Sequence, residues 1–150
     1  MSSLSFVISS ELSICFQFII FPLIYLTCDV VWFQKILVCY LLKDFLCIME
    51  LDTHFIVHHI VCIWATLLFC NSETYFPIVL LEVGSGFYNW YLISKSKGYK
   101  IAHIDYCIVM TFSNLYCFYA LLQNTDVFWG YKLPIILLLV GRQLFVFLTS

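Results

Sequence analysis

Two adjacent histidines, His58 and His59, lie inside the apolar run Phe-Ile-Val-His-His-Ile-Val-Cys-Ile-Trp. Imidazole is the side chain best placed to take up and return a proton near neutral pH. Polar groups that could work with the pair sit on the neighbouring apolar stretches: Tyr40 and Asp44 before it, Glu82, Ser85 and Asn89 after it. A histidine with a carboxylate partner suits general-base or nucleophilic chemistry. His58, His59 and Asp44 are therefore the candidate catalytic residues. Tyr40, Glu82, Ser85 and Asn89 are the candidate lipid-contacting residues.

Helical spacing decides which of these can share a face. Tyr40 and Asp44 are four apart, and so are His54 and His58, with Cys62 continuing that face. His59 is turned away from His58 by about 100°. Asp52, seven residues before His59, falls on nearly the same face as it. Glu82, Ser85, Gly86 and Asn89 follow the i, i+3, i+4, i+7 pattern of a single stripe. Gly84, Ser85 and Gly86 are small enough to let another helix come close. Lys43 is expected to snorkel to an interface. Asp105, Lys132 and Arg142 read as interfacial, and Asn114 as a central residue that joins a polar core or bonds a neighbouring helix.

Several chemistries lack their residues. His54-x-x-x-His58-His59 resembles one histidine box of the membrane di-iron oxygenases, but those sites need several boxes and His103 is the one further histidine. A zinc site needs three or four converging ligands, and no H-E-x-x-H or cysteine-pair spacing is present. No metal is expected. There is no Gly-rich phosphate loop and no G-x-S-x-G elbow. The net charge of −2, with no dense basic cluster, argues against nucleic acid as a partner.

These side chains must be held by elements of unusual composition. The chain has 150 residues, of which 63% are hydrophobic and 11% charged. Soluble domains carry about 25% charged residues, so this chain has too few to cover a water-facing surface. The apolar residues come in blocks near the roughly 20 residues that span a bilayer as a helix. Six spans are expected: Leu12 to Leu26 (starting as early as Leu4), Val30 to Met49, Phe55 to Cys70, Tyr75 to Ile93, Ile104 to Leu122 and Val127 to Leu148. Pro22 is a candidate kink in the first, and Pro134 lies inside the last. The connections are short, as in antiparallel bundles. The fold class is thus all-α: a polytopic membrane helix bundle of about six transmembrane helices, forming one domain over residues 1–150. The eight cysteines lie mostly in apolar segments without a C-x-x-C and read as soft hydrophobes. The N-terminus lacks a basic region and cleavage site, so the first apolar block is expected to be retained. Lys95, Lys97 and Lys100 form the basic connection, which the positive-inside rule places in the cytoplasm with both termini. The His pair then falls within about two turns of that face.

The ordered set resembles a known family. Tyr40-x-x-x-Asp44 ends one span, a short polar connection follows, His58-His59 opens the next, and the span after that carries Glu82 and Asn89. This order is similar to the TLC domain shared by translocating-chain-associated membrane proteins, ceramide synthases and CLN8-like proteins. The motif covers Val30 to Leu92, and the span count covers the whole chain. In ceramide synthases the His pair is implicated in N-acyl transfer from acyl-CoA to a sphingoid base. The resemblance therefore offers His58 and His59 as base or acyl acceptor, with acyl-CoA as co-substrate and no other cofactor. Those enzymes also carry an Asp pair on the following span, where this chain reads Leu-Leu-Glu-Val-Gly-Ser-Gly-Phe-Tyr-Asn-Trp. The Glu-then-Asn pattern is closer to the TLCD and CLN8-like branch.

The expected function is binding of lipid acyl chains among the helices, with an influence on membrane lipid composition or homeostasis. The expected location is an integral position in a membrane, the endoplasmic reticulum by resemblance. Membrane lipid is the expected partner, and a homo-oligomer is left open. Two alternatives remain: a ceramide-synthase-like N-acyltransferase using acyl-CoA, and an endoplasmic-reticulum cargo adaptor.

Overall fold

The computed structural model describes residues 11–47, 53–71, 74–97, 101–124 and 128–149; within its helices the side chains of residues 44–47, 53–55, 69, 96 and 101 are not described. Among the described residues the fold is all-helical, with six helices: α1 (Glu11–Thr27), α2 (Val30–Cys47), α3 (Thr53–Phe69), α4 (Tyr75–Ser96), α5 (Ile101–Gln123) and α6 (Trp129–Thr149).

Local chemistry sets several of the boundaries. Asp29 Oδ1 accepts the Trp32 amide at 3.0 Å, capping the first turn of α2. Asn71 and Thr74 cap each other ahead of α4. The Thr74 amide donates to Asn71 Oδ1 at 3.0 Å, and the Asn71 amide donates to Thr74 Oγ1 at 3.0 Å. Within α1, Phe16–Ile20 form a π-helical turn. Pro22 follows it, lacking an amide donor and crowding the carbonyl four residues back. The wider turn accommodates both effects, so the candidate kink is taken up as a π-turn.

The main helix contacts close a ring: α1 on α2, α2 on α3, α3 on α6, α6 on α5, α5 on α4, and α4 on α1. The α4–α5 pairing is the most extensive. Gly84 explains how close it is, because a Cβ there would lie 2.5 Å from Ser113 Oγ. Gly86 does the same for α1, where a Cβ would meet the Phe18 ring at 2.8 Å and Gln17 Cβ at 3.1 Å. Small residues permit such approaches between apolar helices. The Gly84-Ser85-Gly86 run thus fits α4 against two neighbours at once.

The interior is largely apolar, as in a water-soluble bundle, but it also holds polar groups, and the outward faces are apolar as well. Gln17, His59, Ser113 and Asn114 are buried, and Arg142 is half-buried. The exposed face of α5 carries Ile104, Ile108, Phe112, Leu115 and Tyr119, and that of α6 carries Leu133, Leu137, Leu144 and Phe147. Water-facing helices put polar residues on that side. By length and composition two helical segments, Ala102–Gln123 and Trp129–Thr149, are long and apolar enough to cross a membrane. Glu11–Thr27 and Ile56–Leu68 are shorter apolar helices.

Candidate functional site

The helices of the ring line a partly open hollow of about 80 Å³. Five of the six helices line it: α2 through Leu37, α3 through Cys62, Ala65 and Thr66, α4 from Pro77 to Glu82, α5 from Cys117 to Leu121, and α6 from Ile135 to Arg142. Thr74, in the connection ahead of α4, closes one end. The walls are chiefly leucine, isoleucine, alanine and proline. The other end, at mid-bundle, carries Cys62, Glu82 and Arg142. The hollow is therefore an apolar chamber with a charged floor.

Arg142 organises that floor. Its Nε donates to Asn114 Oδ1 at 3.1 Å, its Nη1 to Ser85 Oγ at 3.1 Å and its Nη2 to the Leu81 carbonyl oxygen at 3.3 Å. Nη2 also lies 2.9 Å from Met110 Sδ. One guanidinium thus ties α6 to α4 and α5. The layer continues sideways, with Asn114 Nδ2 donating to Gln143 Oε1 at 3.1 Å and Gln143 Nε2 donating to Thr111 Oγ1 at 3.0 Å. Arg142 reads from sequence as an interfacial residue, and the structure corrects this. Seven residues of α6 follow it, and its donors meet acceptors at the middle of α4 and α5. The sequence signal was an Arg-Gln pair with a further apolar stretch beyond it.

A second chain of bonds approaches Glu82 from α1. Gln17 Nε2 donates to Glu82 Oε2 at 3.2 Å, and Asn89 Nδ2 donates to Gln17 Oε1 at 2.9 Å. Gln17 lies in the π-helical turn, which is where helices often present functional side chains. Sequence reasoning passed it over. A polar residue between Phe16 and Phe18 in an apolar run was the available signal.

The histidines divide as their spacing requires. His59 is buried at 6% exposure. His58 Nε2 lies 3.6 Å from Cys62 Sγ, one turn along α3, which brings His58 to the wall of the hollow through Cys62. The two imidazole rings are 5.5 Å apart at an interplanar angle of 67°.

The remaining candidates are distributed as follows. Glu82 lines the hollow, Ser85 accepts from Arg142, and Asn89 reaches Glu82 through Gln17. Tyr40 lies away from this group: it packs on Phe21 at 5.1 Å and on Phe16 at 5.3 Å between ring centroids, with Lys43 Nζ 4.6 Å from its own centroid. Its face of α2 meets the aromatic core of α1. The side chains of Asp44 and His54 lie outside the described residues, as do Glu50, Asp52 and Lys100. Asp105 is partly buried near the start of α5. Lys132 is buried near the start of α6, where its Nζ donates to the Asn124 carbonyl oxygen and lies 4.8 Å from the Trp129 ring centroid. Among the described residues, no three His, Cys, Asp or Glu side chains gather as metal ligands do.

The arrangement can hold an apolar group with a polar end. The polar end would meet a cation, a carboxylate and a His-Cys pair at one level of the bundle. Compared with family models, curated proteins and solved structures, the chain gives no match.

Proposed function

We propose that this chain is an integral membrane protein of the TLC-like kind, whose six helices all cross the bilayer. Its interior receives the acyl part of a lipid, and through that binding it influences membrane lipid composition or homeostasis. One observation carries the reading: an apolar hollow, floored by Arg142, Glu82 and Cys62, inside a ring of helices whose outward faces are apolar. A guanidinium and a carboxylate in the interior of a membrane bundle are costly, and intramembrane ionisable groups generally serve a function.

Helix length agrees with the reading. The six helices contain 17 to 23 residues. At 1.5 Å per residue they reach about 25–35 Å, against a hydrocarbon core of about 30 Å. With Lys95 and Lys97 toward the cytoplasm, the apolar chamber occupies the far half of the bilayer. The His58 and Asn89 level then faces the cytoplasmic half. A lipid would enter with its carbonyl at the Arg142 level and its chain beyond. At about 80 Å³ the chamber is smaller than the roughly 300–1,000 Å³ of usual ligand pockets, so a long chain requires the helices to part. The proposed membrane is the endoplasmic reticulum, on the strength of the TLC-like order of residues alone.

The test is mass spectrometry of the lipid extract from detergent-purified protein. A bound acyl lipid in near-stoichiometric amount, reduced by Arg142→Leu in protein that stays folded, supports the reading. An extract without bound lipid contradicts it. Co-purifying protein partners without lipid, unaffected by His58→Ala, support the cargo-adaptor alternative.

The His58–Cys62 contact at the wall of the hollow favours a second reading, N-acyl transfer from acyl-CoA. Incubation with acyl-CoA and a long-chain base separates it from the first. An acylated product supports transfer, whereas bound lipid without product supports binding alone.

A further inference from the structure

Among the described residues, Cys28 meets the Thr27 hydroxyl at 3.6 Å at the exposed end of α1, and three cysteines further inside the bundle have thiol contacts whose partners differ. Cys117 lines the hollow, but its thiol donates to the Pro77 carbonyl oxygen at 3.5 Å. That contact offers no base. Cys107 lies 3.7 Å from His103 Nε2, one turn away on α5. That nitrogen also lies 2.9 Å from the Thr149 carbonyl oxygen. A carbonyl oxygen only accepts, so His103 Nε2 carries the hydrogen and has no lone pair for the Cys107 thiol.

Cys62 has the same one-turn spacing with the opposite proton logic. Its Sγ lies 3.6 Å from His58 Nε2. Among the described residues this nitrogen meets the Cys62 sulfur and no carbonyl oxygen, so its lone pair can take the thiol proton. Cys62 also lies on the wall of the hollow, whereas Cys107 does not. A thiol one turn from an imidazole nitrogen, on the wall of an apolar chamber, has the parts of covalent catalysis.

Resting on the reading of the hollow as an acyl site, the geometry points to Cys62 as an acyl acceptor, with His58 as its base, that takes the acyl group of an acyl-CoA-type thioester and holds it as a protein thioester. Cys62 Sγ attacks the thioester carbonyl while its proton passes to His58 Nε2. The new bond joins Sγ to the acyl carbon. The bond from that carbon to the donor sulfur breaks, and the departing thiolate takes the proton back from His58. One thioester and one thiol are consumed, and one of each is formed, so no oxidant or reductant is needed. Arg142 lines the same hollow, and positive charge there favours the oxyanion that develops during the attack. The bound acyl group is then positioned for transfer to a lipid amine or hydroxyl.

The test incubates the full chain in detergent micelles with radiolabelled octanoyl-CoA. Label is followed by hydroxylamine release and by mass spectrometry of peptides. The expected result is hydroxylamine-labile label on Cys62, ahead of the exposed Cys15, Cys28 and Cys39. Cys62→Ala should remove at least about tenfold of that label. His58→Gln should slow its incorporation about 100-fold, the size of a typical general-base contribution, and His103→Gln should leave it unchanged. Label confined to the exposed cysteines, or label insensitive to both Cys62→Ala and His58→Gln, overturns the proposal. Unfolding temperature and bound lipid are measured on the same preparations. Bound lipid without a Cys62 thioester overturns this inference and leaves the lipid reading standing; neither lipid nor thioester overturns both.

Discussion

Arg142 on α6 donates from Nε to Asn114 Oδ1 on α5 at 3.1 Å, and both residues lie about two turns or more from the ends of their helices. A cation at that level of an apolar bundle survives because its fork finds acceptors on two neighbours at once. The carbonyl of Leu81 and the hydroxyl of Ser85 complete the set on α4. Such a fork is particular to arginine, whose planar donors are fixed in direction.

Arg142→Ala is expected to destabilise the protein by about 1–3 kcal/mol, because acceptors on α4 and α5 lose their donor away from water. Arg142→Lys keeps the charge and loses the fork, so it should fall between alanine and wild type. Thermal unfolding in a single detergent measures both. An alanine variant as stable as wild type would show that the guanidinium does not hold these helices together.

Gly84 and Gly141 make a matched pair. A methyl on Gly84 would strike Ser113 Oγ at 2.5 Å, whereas one on Gly141 meets nothing within 4 Å. Gly84→Ala should cost about 1–3 kcal/mol through overpacking, and adding Ser113→Ala should recover part of it. Gly141→Ala should be neutral or stabilising by up to about 1 kcal/mol, as alanine for glycine in a helix is. The readout is again the unfolding midpoint. Equal effects at the two glycines would contradict the close α4–α5 approach.

Gln17 couples Asn89 to Glu82 across the α1–α4 contact. A double-mutant cycle of Gln17→Ala and Asn89→Ala should give a coupling energy of about 0.5 kcal/mol or more, the range for residues in one network. Strict additivity would mean that the bridge is not formed in solution.

The helices were legible because apolar blocks and punctuation agree. The expected span from Val30 to Met49 and the observed α2 share a start because Asp29 caps the first turn. The expected Tyr75 to Ile93 and the observed α4 share theirs because Asn71 and Thr74 cap each other. Glu82, Ser85 and Asn89 were legible as a stripe because helical spacing alone puts them on one face. Their partners were not, since Gln17 is 65 residues from Glu82 in the chain and nothing in α4 points to it. Arg142 was misplaced for a related reason. Distance from a helix end says where a long side chain can snorkel, but not which acceptors neighbouring helices offer. Tyr40 shares a face with Asp44, yet the aromatic rings of α1 claim it first.

The most direct measurement of the central claim fills the hollow from its own wall. Ala120 lines it, and Ala120→Leu adds three carbons to a space of about 80 Å³. Lipid bound to the purified variant, quantified by mass spectrometry against wild type at matched unfolding temperature, should drop at least about tenfold, while the filled cavity keeps stability level or raises it. Undiminished acyl lipid in a folded Ala120→Leu protein would contradict the claim that this chamber is where the lipid resides.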